Sequence, residues 1–196
     1  MIDGVKYWDD PERYYSQKNN SVEKMLSSLE TCGPTSAIMA LDSMGFNLKI
    51  KAPGLWKVQP EDFLTLYLND PRNSDKLRSQ RKELDPRDWM GNRIPQYYPI
   101  AIQEVFGAKA TFEWGASFPK VVTFLQKGNA VMLCLKDPGH FICAVAYNRV
   151  DETIIYHDPW PDNKWPERHR KTPGFGRTLA ESDFENVQGF IVWFGE

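Results

Sequence analysis

Beyond residue 128 the chain abandons helical spacing and becomes a series of short apolar runs separated by turn residues. This switch limits the fold more than any other feature. Residues 129–135, 140–147, 153–157 and 189–194 each have strand length and turn-forming flanks. Asp137, Pro138 and Gly139 mark a turn between the first two. Earlier segments repeat differently. Over 32–44, Ile38, Leu41 and Met44 share one helical stripe, Ala37 and Ala40 favour the conformation, and Gly45 closes it. Thr31 is the expected N-cap, and Pro34 is tolerated because it falls in the first turn. Shorter helices are expected over 99–106, ended by Gly107, and from Ser117 to just before Gly128, with Pro119 in the first turn. Helices early and strands late predict an α+β fold and exclude a repeating βαβ array.

At 196 residues the chain suits a single domain over 1–196. A formal net charge of −2 gives no electrostatic case for nucleic acid or an anionic membrane as partner. The N-terminus is charged and aromatic and lacks the basic start and apolar stretch of a secretory signal. The longest apolar run, 141–147, is far short of a membrane span. A soluble cytoplasmic protein is therefore expected. Three cysteines cannot all pair, which favours a reducing compartment.

Residues 46–98 are less regular. Between Asp70 and Asp88 six basic residues meet five acidic ones, the mixture of a solvated surface. Residues 161–177 carry three prolines, two glycines and five basic residues and are expected to form a long loop after Asp158.

Cys32 opens the first helix, where the partial positive charge of the helix N-terminus favours a thiolate. Gly33 beside it would let a substrate backbone approach closely. A buried cysteine packing as a small apolar residue is the alternative. His140 begins an apolar strand directly after the Pro-Gly turn, and Asp158 ends the next one. Two neighbouring strand ends can bring an imidazole and a carboxylate within hydrogen-bond reach, and a carboxylate there would fix the tautomer and support its charged form. Taken singly, each has a structural reading as well.

Other constellations are weaker. His140 and Cys143 lie three apart on a strand and point to opposite faces, which argues against a shared metal ion, so none is expected. Cys134 and Cys143 would face each other if a two-residue Pro138-Gly139 turn set the register, as a disulfide or as buried small residues. Trp160, Trp165, Phe175 and Arg177 either line a substrate cleft or cover a core edge. No phosphate-binding glycine loop is present.

Several segments, taken in order, resemble the C39-like branch of the papain-like cysteine peptidases. They are Tyr14, Tyr15, Ser16 and Gln17; Thr31, Cys32, Gly33, Pro34, Thr35 and Ser36 opening a helix; Pro138, Gly139, His140 and Phe141 opening a strand; and Tyr156, His157, Asp158, Pro159 and Trp160 closing the next. The resemblance implies a papain-like fold, with a nucleophile helix packed on an antiparallel sheet. It also implies a Cys32–His140–Asp158 triad and an oxyanion-hole glutamine, for which Gln17 stands in the matching context. Gly33, Gly139 and Trp160 are expected to bind substrate. The expected activity is hydrolysis of amide bonds in a peptide or protein, with no cofactor. A cell-wall peptide amidase or endopeptidase, a transacylase, or an idle binding module on the same fold are the alternatives. Residues 46–98 exceed what the catalytic pattern requires and are expected to be an insertion or family-variable region.

Overall fold

In the computed structural model of the chain, the described residues are 1–20, 30–48, 59–78, 91–137, 139–160 and 174–195. Trp56, Trp89 and Trp165 lie outside them.

The chain mixes helices with an antiparallel sheet. Among the described residues the strands are β1 (Ile2–Gly4), β2 (Ala110–Trp114), β3 (Ala130–Leu135), β4 (His140–Asn148), β5 (Thr153–His157), β6 (Arg177–Ala180) and β7 (Phe190–Phe194). They form one sheet in the order β2-β7-β3-β4-β5-β6, with β1 paired to the far end of β4. The four expected runs are β3, β4, β5 and β7, with ends that agree to within a residue. Strands β1, β2 and β6 are too short, or too mixed in composition, to stand out in the sequence, and β1 and β2 put sheet among the early helices.

Helix α1 (Cys32–Ser43) follows the expected pattern, but it is buried nearly all round and not along one stripe. Small residues such as Ser36, Ala37 and Ala40 let neighbours approach on every side. One side packs against β3 and β4, another against α2 (Pro60–Asn69). Helices α3 (Ser74–Arg78) and α4 (Tyr98–Phe106) complete this layer, and α4 ends at Gly107 in the left-handed conformation that glycine adopts readily. Helix α5 (Phe118–Gln126) covers the opposite face of the sheet.

Two apolar clusters result. On the α1 face, Ile38, Leu41, Tyr97, Tyr98 and Ile102 meet Met132, Cys134, Phe141 and Cys143. On the α5 face, Val121 and Leu125 meet Val131, Leu133, Ile142 and Ile154. Strand β3 is buried on both faces, which is why its sequence is continuously apolar instead of alternating. Within the region read as irregular, Leu64, Leu68 and Leu77 are fully buried in the α1-face cluster. Its described part is thus core-forming and not merely surface.

The hairpin between β3 and β4 pairs Leu135 with His140, so its loop is the four residues 136–139, not two. Cys134 therefore pairs with Phe141, and Cys143 with Met132. The two thiols are not opposite one another and both are free.

Candidate active site

The N-terminal segment is laid along α1 by a few side chains. At the C-terminal end of the helix, the Tyr7 N–H donates to the Ser43 carbonyl (2.9 Å). Arg13 Nη1 donates to Asp42 Oδ1 (2.5 Å), and the Tyr15 hydroxyl to Asp42 Oδ2 (2.9 Å). At the other end, Asn20 Nδ2 donates to Thr31 Oγ1 (2.7 Å) and to Thr35 Oγ1 (3.1 Å). Thr31 thus occupies the N-cap position but makes no side-chain cap of its own, because its hydroxyl serves Asn20. The segment passes the start of α1 with Gln17 buried and the Gln17 N–H donating to the Pro159 carbonyl (2.9 Å). Lys18 lies over the ring of Trp160 (4.9 Å). Gln17 and Trp160 are therefore held in the neighbourhood of Asp158 and of the α1 N-terminus.

His140 and Asp158 meet where β4 begins and β5 ends. His140 Nε2 is 2.6 Å from Asp158 Oδ1, with the imidazole 8% exposed and the carboxylate fully buried. The same Oδ1 accepts from the Trp160 N–H (2.8 Å), and Oδ2 accepts from Arg177 Nη1 (3.0 Å). Burial alone would push the imidazole down. Its hydrogen bond to Asp158 and the influence of the neighbouring Cys32 side chain, with the charges of both groups, carry it up to about 9. Cys32, half-buried at the start of α1, is in this way joined to the pair.

His157, the neighbouring histidine, does different work. Its Nδ1 accepts from the Gly176 N–H (3.1 Å) and its ring stacks on Phe175 (4.6 Å between centroids). Burial pushes it down to about 4. Phe175 also meets Tyr14 edge-on, so it covers a core edge. Arg177 is not a loop residue of the cleft. It opens β6, pairs in register with Tyr156, and is 2% exposed. The sequence reading missed its contact with Asp158. The one available signal was the alternation of Arg177 and Leu179 as inward positions of a short strand.

Cys32 opens on a cleft of about 380 Å³. Buried Cys134, Phe141 and Phe190 form its apolar floor. Glu30, Asn92, Arg93 and Gln188 supply a polar rim, where Arg93 Nη2 pairs with Glu30 Oε1 (2.5 Å). Gly139 lines the same cleft with φ of +79° and open space where a Cβ would go. Gly33 packs tightly against Tyr98. A Cβ there would lie 2.0 Å from the Tyr98 hydroxyl, which donates to the Asn92 carbonyl (2.7 Å). Its missing side chain makes room for the Tyr98 hydroxyl.

The sequence profile of the Peptidase_C39 like family matches residues 12–187. Among solved structures, the chain is similar to the crystal structure of a candidate C39-like peptidase from Bacillus anthracis, with 13% identity and a TM-score of 0.55. That match covers 100% of this chain and 98% of the other, and at this identity it speaks for the fold alone. No curated protein matches the chain. Among the described residues, no helix is long and apolar enough to cross a membrane.

Proposed function

This chain belongs to the Peptidase_C39 like family, and from that premise we propose that it is a cysteine peptidase acting through Cys32, His140 and Asp158. The observation that carries the reading is the hydrogen bond of His140 to a fully buried carboxylate, with the Cys32 side chain near enough to act on the imidazole and opening on a cleft.

With Asp158 accepting at Nε2, the His140 Nδ1 is left for the sulfur. An imidazole raised to about 9 stays protonated through the neutral range, and a cation beside a thiol favours the thiolate. The thiolate attacks the scissile carbonyl carbon, and the carbonyl electron pair moves onto oxygen. The Cys32 N–H, in the first turn of α1 where amides have no partner within the helix, and the Gln17 side chain stabilise that oxyanion. His140 delivers its proton to the leaving amine as the C–N bond breaks, giving a thioester. It then takes a proton from water, whose oxygen bonds to the thioester carbon; the C–S bond breaks, and the sulfur leaves as the thiolate, restoring the ion pair and releasing the acid.

The cleft suits an extended peptide, with an apolar side chain on Phe141 and Phe190 and polar backbone groups at the Asn92 and Gln188 rim. A test is incubation of the purified protein with a mixed peptide library, with new termini read by mass spectrometry. The expected result is cleavage that falls by at least about 10³-fold in both Cys32→Ala and His140→Ala. Cleavage retained in Cys32→Ala would contradict the assignment.

A further inference from the structure

Asp158 divides its two oxygens between two tasks. Oδ1 receives His140 and the Trp160 N–H, and Oδ2 receives Arg177 Nη1 at 3.0 Å. Neither member of the Asp158–Arg177 pair has appreciable contact with water, at 0% and 2% exposed. Resting on the triad reading above, we infer that Arg177 is a positioning residue of the active site, whose guanidinium holds Asp158 turned with Oδ1 toward His140.

A carboxylate removed from water needs its remaining lone pairs satisfied, and a charged donor does so most strongly. Arginine does not give up its proton in proteins, and its rigid fork of donors fixes the carboxylate it pairs with in one orientation. The other groups facing the pair cannot do this. Tyr14, whose hydroxyl donates to the Asp158 carbonyl, and Tyr156, in register with Arg177 on β5, are pushed upward mainly by burial and stay neutral, and Asp183 acts on Tyr156 in the same direction. His157, pushed down to about 4, is neutral above that pH. That leaves the Cys32 sulfur and the His140 imidazole on the far side of the carboxylate, and Arg177 behind it.

The surrounding chain is built to deliver this arginine. The Gly176 N–H is tied to His157 Nδ1, and the Asp158 N–H donates to the Gly174 carbonyl (2.7 Å). The start of β6 is thereby clamped to the end of β5. A buried ion pair is weak evidence of stabilisation, since apolar residues of similar volume often serve as well. The placement of this one on the oxygen that His140 leaves open is accounted for by orientation of the triad.

The test follows the His140 titration by NMR of protein labelled at histidine Cε1. The chain has three histidines, and each signal is assigned by substitution. The probe of Cys32 is the iodoacetamide alkylation rate at pH 7. In Arg177→Met, shown to be folded by near-UV circular dichroism, Asp158 loses its partner on Oδ2 and is free to turn from His140. The His140 midpoint is expected to drop by about one unit or more and alkylation to slow about tenfold. Arg177→Lys, which keeps the charge, is expected to hold the midpoint within about half a unit. A folded Arg177→Met with unchanged midpoint and unchanged alkylation would overturn the inference. If Arg177→Met does not fold, the Asp158→Asn/Arg177→Met double variant decides. It is expected to fold and to match the His140 midpoint of Asp158→Asn alone, because no carboxylate is left to orient. A further drop beyond Asp158→Asn would overturn the inference. Wild-type Cys32 reacting no faster than free cysteine would sink the triad reading itself, whereas a reactive wild type matched by Arg177→Met sinks only the role of Arg177.

Discussion

His140 Nε2 and Asp158 Oδ1 lie 2.6 Å apart although 18 residues separate them in the chain. The connection is the β4–β5 hairpin, closed by Asn148 pairing with Thr153, which returns the end of β5 to the start of β4. The contact is one term in holding His140 up to about 9, so removing the carboxylate charge should move the imidazole down toward its ordinary value. Asp158→Asn is expected to lower kcat at least about tenfold and to shift the basic limb of the pH–rate profile to lower pH. A profile with an unmoved basic limb would contradict this.

The two buried histidines pull stability in opposite directions with pH. His140 is raised in the fold, so its contribution is full below its ordinary value of 6.5 and is lost as pH rises through about 9. His157 is lowered, mainly by burial, so its contribution is full above 6.5 and is lost as pH falls toward about 4. Buried Glu61, raised to about 7 chiefly by desolvation, loses stability as pH climbs from 4.5 to 7 and partly masks the His157 effect. The useful comparison is therefore between wild type and His157→Asn, whose amide oxygen can still accept from the Gly176 N–H. In urea denaturation series from pH 4 to 7, the variant is expected to lose less stability on acidification. Parallel curves would count against a neutral His157.

Gly174 and Gly176 give a paired test of how the Asp158 loop is held. Both have positive φ, +77° and +64°, where a side chain is strained. At Gly176 a Cβ meets open space. At Gly174 it would lie 2.3 Å from the Tyr14 hydroxyl and 2.4 Å from the Asp158 carbonyl oxygen. Gly176→Ala should therefore carry only the backbone term, about 1–2 kcal/mol. Gly174→Ala should exceed it and lower activity as well, because Asp158 must move. Thermal melts with a peptide-cleavage assay on both variants check this, and equal losses would contradict it.

Gln17 is placed near the site by backbone and neighbours: its N–H on Pro159, and Asn20 on Thr31 and Thr35. If its side chain donates to the oxyanion, Gln17→Ala should reduce kcat about 10²–10³-fold while leaving Cys32 alkylation near the wild-type rate. Loss of both together would point to a packing role instead.

The sequence carried the sheet's long strands and α1 because their signals are local. Each is an uninterrupted apolar run or a helical period between turn residues. It did not carry Arg177, because one arginine after a basic, glycine-rich stretch looks solvated until β6 places it opposite Tyr156. Nor did it carry the purpose of Gly33, since Tyr98, whose hydroxyl fills that space, lies far along the chain. Alternation alone would also mislead at His140. It shares parity with Ile142 and Ala144, which face α5, while Cys32 belongs to the other face. As the first residue of β4, directly after the turn, His140 reaches the Cys32 side chain all the same. Such strand-end positions are set by the turn, and the four-residue loop here is not the two-residue one that would set Cys134 opposite Cys143.

An activated Cys32–His140 pair is tested most directly by the rate of alkylation by iodoacetamide from pH 5 to 9. Peptide mass spectrometry can locate the label, because the other two thiols are buried and pushed upward, Cys134 to about 12. The expected result is rapid labelling confined to Cys32 at and below neutral pH, lost in His140→Ala. Slow labelling that rises only at alkaline pH, equal in wild type and His140→Ala, would contradict the account.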